Sequence, residues 1–91
     1  MRYVFQPSFL DSTRQISHAQ AAKLLKAVDT FQRAMESRQW PPGLGITHLR
    51  DDYFECRVDI HTRVIYRRVA DLVQYLLYGS HDQIRRFLKS L

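Results

Sequence analysis

The 91-residue sequence predicts a single α+β domain spanning residues 1–91. An N-terminal strand and two helices pack on a small, mainly antiparallel sheet of about four strands, and a short C-terminal helix closes the chain. Three observations carry this expectation. Apolar residues recur at helical spacing up to Ser37, and beyond Gly45 the period drops to two. The turns between the later strands are too short for parallel crossovers.

Arg2 to Phe5, aromatic and β-branched, reads as a strand stopped by Pro7. Ser8 to Arg14 suits a short helix that turns Phe9 and Leu10 inward. Ser17 and Gln20 have the spacing of a capping box, and the stripe Ala21, Leu24, Leu25, Val28, Phe31, Met35 predicts a helix over His18 to Ser37. Trp40-Pro41-Pro42-Gly43 ends it. Ile46 to Leu49 is the next strand, with a turn at Arg50-Asp51-Asp52. From Tyr53 to Asp59 the sides alternate: Phe54, Cys56 and Val58 face one way, Tyr53, Glu55, Arg57 and Asp59 the other. Arg63 to Val69 and Leu72 to Tyr78 follow as strands around a turn at Ala70-Asp71, the last apolar on both faces as a covered strand is. Gly79 breaks it, Ser80 and Gln83 repeat the capping-box spacing, and Ile84, Phe87, Leu88 and Leu91 line a closing helix.

Hydrophobic residues make up 45% of the chain and charged ones 25%, which excludes wholesale disorder. No apolar run is long enough for a membrane span, and the start of the chain lacks the apolar core of a signal peptide, so no membrane partner and a cytoplasmic location are expected. Cys56 is the single cysteine; it excludes an internal disulfide and suits a buried, inert thiol. The net charge of +5 favours a polyanion or an acidic protein as partner. The positive charge is spread, with six basic and three acidic residues up to Gly45 and eight and six after it, so folding has to assemble any basic surface.

There is no Gly-rich phosphate loop, no nucleophile elbow and no His-Glu-x-x-His motif. His18, His48, His61 and His81 lack metal-ligand spacing, so no metal site is expected. The informative stretches are Arg57-Val58, then Arg63-Val64-Ile65-Tyr66, then Gly79-Ser80-His81. In that order and spacing they resemble the RelE/ParE superfamily of toxins from type II toxin–antitoxin systems, most of all its histidine-bearing, YafQ-like mRNA interferases. The resemblance spans roughly residues 44 to 91; the earlier elements agree in order and length but not in particular residues.

That resemblance implies a RelE/ParE-like fold and a metal- and cofactor-independent endoribonuclease. It would cleave messenger RNA, usually on the ribosome, by attack of a ribose 2′-hydroxyl on its own 3′-phosphate, and so inhibit translation. An acidic antitoxin, laid on as a helix or extended segment, would block it in a hetero-oligomer. The reaction needs a base, charge on the phosphorane and an acid for the 5′-oxygen. Arg63 matches a strand arginine that contacts the scissile phosphate; the plainer reading pairs it with Glu55 or Asp59. His81 matches a histidine at the end of the last strand, able to carry a proton near neutrality. His48 falls where relatives place a lysine or histidine facing RNA, and Arg57, Arg67, His61 and Arg85 are candidate substrate contacts. The chain also departs from the pattern. Arg57 stands where such relatives have a histidine, His61 where they often have an acid, and the last helix offers Arg85 and Phe87 in place of a tyrosine. Two alternatives therefore stand beside the nuclease: a ParE-like inhibitor of DNA gyrase, and a catalytically inactive binding module on the same fold.

Overall fold

A computed structural model describes residues 1–91. Its elements run β1 (Arg2–Phe5), α1 (Pro7–Ser12), α2 (His18–Ser37), β2 (Thr47–Arg50), β3 (Tyr53–Arg57), β4 (Arg63–Val69), β5 (Leu72–Gly79) and α3 (His81–Lys89). The strands form one five-stranded sheet in the order β1-β5-β4-β3-β2. The α+β class and the order of elements are as expected. The sheet of about four strands is corrected to five, because β1 does not pack on the sheet but joins it as an edge strand parallel to β5, from Arg2↔Leu72 to Phe5↔Tyr75.

Both capping boxes form. Ser17 accepts from the Gln20 amide at 3.1 Å while the Gln20 side chain accepts from the Ser17 amide at 3.1 Å. Ser80 and Gln83 do the same at 3.2 and 2.8 Å. α2 stops at Arg38, which turns left-handed at φ 58°. β3 ends at Arg57, short of Asp59, because the Asp59 carboxylate takes the His61 amide, the Thr62 amide and the Thr62 hydroxyl, each at 2.8 Å. A side chain that satisfies three donors locally holds a turn in place of a continued ladder.

Alternation along the strands divides the apolar residues between two faces. On the first, Cys56, Val64, Tyr66, Val73 and Tyr75 form the main core with Phe9, Leu24 and Phe31 of α1 and α2. Fully buried Phe31 is its centre, with ring centroids 4.6 Å from Tyr66 and 6.0 Å from Tyr75. On the second face Ile65, between Val64 and Tyr66, is also fully buried and lies outside that core, as does Ile84 of α3. α3 packs against β4 and β5 and supplies the cover Ile65 needs.

β1 pairs only with the first half of β5, so another element must satisfy the outer edge beyond Tyr75. α1 does so through its side chains. The Ser8 hydroxyl donates to the Leu76 carbonyl, and the Tyr78 amide donates to Ser12 Oγ at 3.0 Å. A bulge leaves Leu76 unopposed by β4, since Ile65 pairs with Leu77 and Tyr66 with Tyr75.

Candidate functional site

On the second sheet face, β3 and β4 bring Glu55, Arg57 and Arg63 to one end, because Arg57↔Arg63 and Glu55↔Ile65 are cross-strand pairs. On its other side Arg63 pairs with Gly79. His81 begins α3 two residues past that partner, so the register brings Arg63 and His81 to the same corner of the sheet. Ser80 holds the corner through its capping box, and Gly79 makes room for it: a Cβ there would meet the Gln83 Oε1 at 2.6 Å.

Glu55 lies on the face of β3 that carries Tyr53 and Arg57, as the alternation predicts, and is 4% exposed. Arg63 explains the burial, since its Nη1 donates to Glu55 Oε2 at 2.9 Å. The plainer reading of Arg63 as the cross-strand partner of Glu55 is therefore realised. It does not use up the guanidinium, which offers five N–H donors in a planar fork and remains partly exposed here. Glu55 orients the fork and leaves its outer donors to solvent.

Arg57 stands directly opposite Arg63 but leans away from it over Gly45, so that a Cβ on that glycine would lie 2.9 Å from the Arg57 Cβ. Two like charges side by side on a sheet favour that outward lean. Arg57 has no acidic partner, and neither has Arg85, exposed on α3. His81 and Arg85, four residues apart, share one helix flank. At the far end of α3, Arg50 Nη2 of β2 donates to the Leu88 carbonyl at 3.1 Å. The register thus puts Arg63 and the start of α3, with His81, at one corner of the sheet; Arg57 leans from it over Gly45 toward Lys23 and Lys26 of α2, and Arg85 lies one turn further along α3.

Three sequence candidates lie elsewhere. His48 pairs with Phe54, and its ring stands 4.9 Å from the Phe54 ring on the α2 side of the sheet, the face opposite Arg63. Arg67 is four residues along β4 from Arg63, roughly 13 Å at the usual strand rise. There it bonds Asp52 at 2.9 Å and covers the Tyr53 ring. His61, in the β3–β4 turn, lines a cleft on the other flank of α3. Sequence reasoning missed the burial of Glu55 and the reach of Arg50. It also missed Arg86, which belongs to that second flank.

No group of three or more histidine, cysteine or carboxylate side chains is placed to hold a metal ion. No helix is long and apolar enough to cross a membrane. Burial pushes the Cys56 thiol up to about 12, with the Glu55 charge adding to the effect, so the thiol stays protonated within the core.

No protein-family model matches the sequence, and no curated protein matches it. Solved structures do match in shape. A copper-bound mutant toxin from Helicobacter pylori superposes with a TM-score of 0.65 at 16% identity, over 92% of this chain and 98% of that one. YafQ from E. coli gives 0.67 at 12% identity, over 92% and 98%. The RelB–RelE antitoxin–toxin complex from Methanococcus jannaschii gives 0.69 at 10% identity, over 92% and 96%. A YoeB/ParE toxin from Agrobacterium tumefaciens gives 0.66 at 19% identity, over 89% and 99%. From β1 to α3 the chain has the fold of the RelE/ParE-type toxins.

Proposed function

We propose that this protein is the toxin of a toxin–antitoxin pair and that it cuts messenger RNA, on the ribosome, through the corner that holds Arg63 and His81. The observation that supports the reading is the Arg63↔Gly79 register, by which the start of α3, with His81, follows directly on the strand position opposite a guanidinium held by a buried carboxylate. A ribose 2′-hydroxyl gives up its proton and attacks the adjoining phosphorus. The P–O5′ bond then breaks, and the 5′-oxygen leaves with a proton. The products are a 2′,3′-cyclic phosphate and a free 5′-hydroxyl. Arg63 meets the charge that grows on the non-bridging oxygens. His81 exchanges the proton, and Arg57 and Arg85 hold neighbouring phosphates. The reaction requires a 2′-hydroxyl, which limits the substrate to RNA. His48, on the opposite face, drops out of the set.

The RelB–RelE and DinJ–YafQ matches are antitoxin–toxin complexes. By analogy an acidic antitoxin covers the cationic corner of this chain and restrains it in the cytoplasm. The test is expression without the antitoxin, with growth, protein synthesis and messenger 5′-ends followed together. Wild type arrests translation and leaves cut messengers, whereas His81→Gln and Arg63→Lys, both still folded, do neither. If both variants stay fully toxic, the site is wrongly placed. The Arg63–Glu55 pair also fits a second reading, a toxin that only binds and inhibits DNA gyrase, since an already neutralised arginine suits a docking surface. Filamentation and DNA damage with translation intact identify that case.

A further inference from the structure

The second flank of α3 carries a site of its own. Because β1 stops at Pro7, and α1 satisfies the β5 edge only as far as Tyr78, a cleft of about 920 Å³ opens between the α1–α2 connection and α3. That volume is typical of sites that take small organic ligands. Tyr78 and Phe87 give it aromatic walls, and Arg14 and Arg86 bring charge. Arg14 is shared with Asp11 at 2.6 Å, while Arg86 has no acidic partner.

Gln20 and Gln83 also line this cleft. Each spends its amide oxygen on its own helix cap and keeps its NH2 donors unbonded. The Tyr78 residue is 6% exposed, and its hydroxyl is the one buried side-chain polar atom in the protein without a hydrogen-bond partner. Buried hydroxyls are normally paired, so this one is an exception, set in the cleft wall beneath the accessible surface. The cleft therefore sets two arginines and the free amide donors of Gln20 and Gln83 against one carboxylate, Asp11, which Arg14 already holds, with flat apolar walls between them. Its complement is a planar group that carries acceptors and a negative charge.

We infer that the cleft between the α1–α2 connection and α3 is a nucleotide subsite, which takes the RNA nucleotide next to the one being cut. The inference rests on the RNA-cleaving reading above and extends it. Gly79 and Ser80 line the cleft, and they join the Arg63 partner position to His81. An RNA strand that rounds the start of α3 passes directly from the phosphate corner into the cleft. There its base lies against Phe87, its phosphate meets Arg86, and its base edge or sugar accepts from Gln20 or Gln83.

The test uses the full chain carrying His81→Gln and two uncleavable probes, a 2′-fluoro dinucleotide and a 2′-fluoro trinucleotide. Binding is followed through the backbone amide signals in NMR. The trinucleotide is expected to bind about tenfold more tightly and to shift the Gly79, Arg86 and Phe87 amides, and Arg86→Ala is expected to remove that gain while dinucleotide binding persists. Equal affinities with unmoved cleft amides overturn the subsite and leave the catalytic corner intact. A gain that survives Arg86→Ala overturns it as well. If neither probe binds, the RNA-cleaving reading fails, and the subsite fails with it.

Discussion

Replacing Arg63 with alanine strands the Glu55 carboxylate, whose side chain is 5% exposed and whose hydrogen-bonded partner is that guanidinium. Removing one member of a buried ion pair costs about 3–5 kcal/mol, because the survivor is left charged and unsolvated. A domain of this size holds on the order of 5–14 kcal/mol in total. Its melting temperature falls roughly 4–8 °C per kcal/mol, so Arg63→Ala should melt at least about 12 °C below wild type. Glu55→Ala costs less, about 2–3 kcal/mol, since Arg63 is 23% exposed and retains access to water. The double variant restores part of the loss by removing both charges, with a coupling of about 1–3 kcal/mol. Thermal and urea denaturation of the four proteins measures all of this. Additive losses, or a cost below about 1 kcal/mol for Arg63→Ala, would refute the buried-pair argument. The same arithmetic explains why the functional test uses Arg63→Lys. An alanine variant that loses toxicity has also lost much of its stability, whereas lysine keeps the charge beside Glu55 and removes only the fork.

Other outcomes follow from the same contacts. Phe31→Ala opens a cavity between two tyrosine rings and should cost roughly 3–5 kcal/mol in urea denaturation, an expectation that fails if the loss is under 1. Cys56, 2% exposed and with its thiol pushed up to about 12, should resist iodoacetamide at about pH 8 in the native protein and react once guanidinium unfolds it. The His61 amide, with the Thr62 hydroxyl and amide and the Lys23 charge, holds the Asp59 carboxyl below its ordinary 3.8 against the effect of desolvation. A depressed folded value means a contribution present above that pH and lost as acid titrates through the folded one. The protection of the His61 and Thr62 amides, taken relative to their intrinsic exchange rates, should therefore be lost only below pH 3.8, and protection unchanged down to the acid transition would count against the turn.

Features set by near neighbours were legible in the sequence. The Ser17–Gln20 and Ser80–Gln83 boxes form because each needs only a three-residue reach, and β4 begins and ends where its period-two pattern does. The place of β1 was not legible. Arg2 meets Asp71 69 residues away, and no local pattern reports a parallel pairing at that separation. The site divides along the same line. Arg63 and His81 stand in motifs whose order survives folding, and one strand register pairs Arg63 with Gly79, two residues before His81. His48 lies in the expected region but on the face opposite Arg63, since a strand position gives a side only when its parity and bulges are known, and β2 is irregular between His48 and Arg50. The burial of Glu55 was not legible, because nothing in its own segment shows that this face is covered. Arg85 and Arg86 are adjacent in sequence yet serve opposite flanks, a division that depends on how α3 sits on Ile65.

The net charge of +5 becomes a directed field only after folding has sorted the cations. Arg2, Arg14, Lys23, Arg33, Arg63 and Arg67 all pair with carboxylates. Arg57, Arg85, Arg86 and Lys89 do not, and three of these sit on α3 with only Asp82 against them. Ile84 takes the buried face of that helix, so its charges must point to solvent on both flanks. A single small anion at Arg63 meets a guanidinium half neutralised by Glu55, while a strand that passes around α3 meets several unpaired cations in succession. Neutralising three or four phosphates of a single strand predicts that log K falls against log salt with a slope of roughly −2 to −3. Titration of the His81→Gln protein with a 2′-fluoro oligonucleotide at several salt concentrations measures it. A slope shallower than about −1 means that one phosphate at most is neutralised, and the extended path around α3 is then wrong.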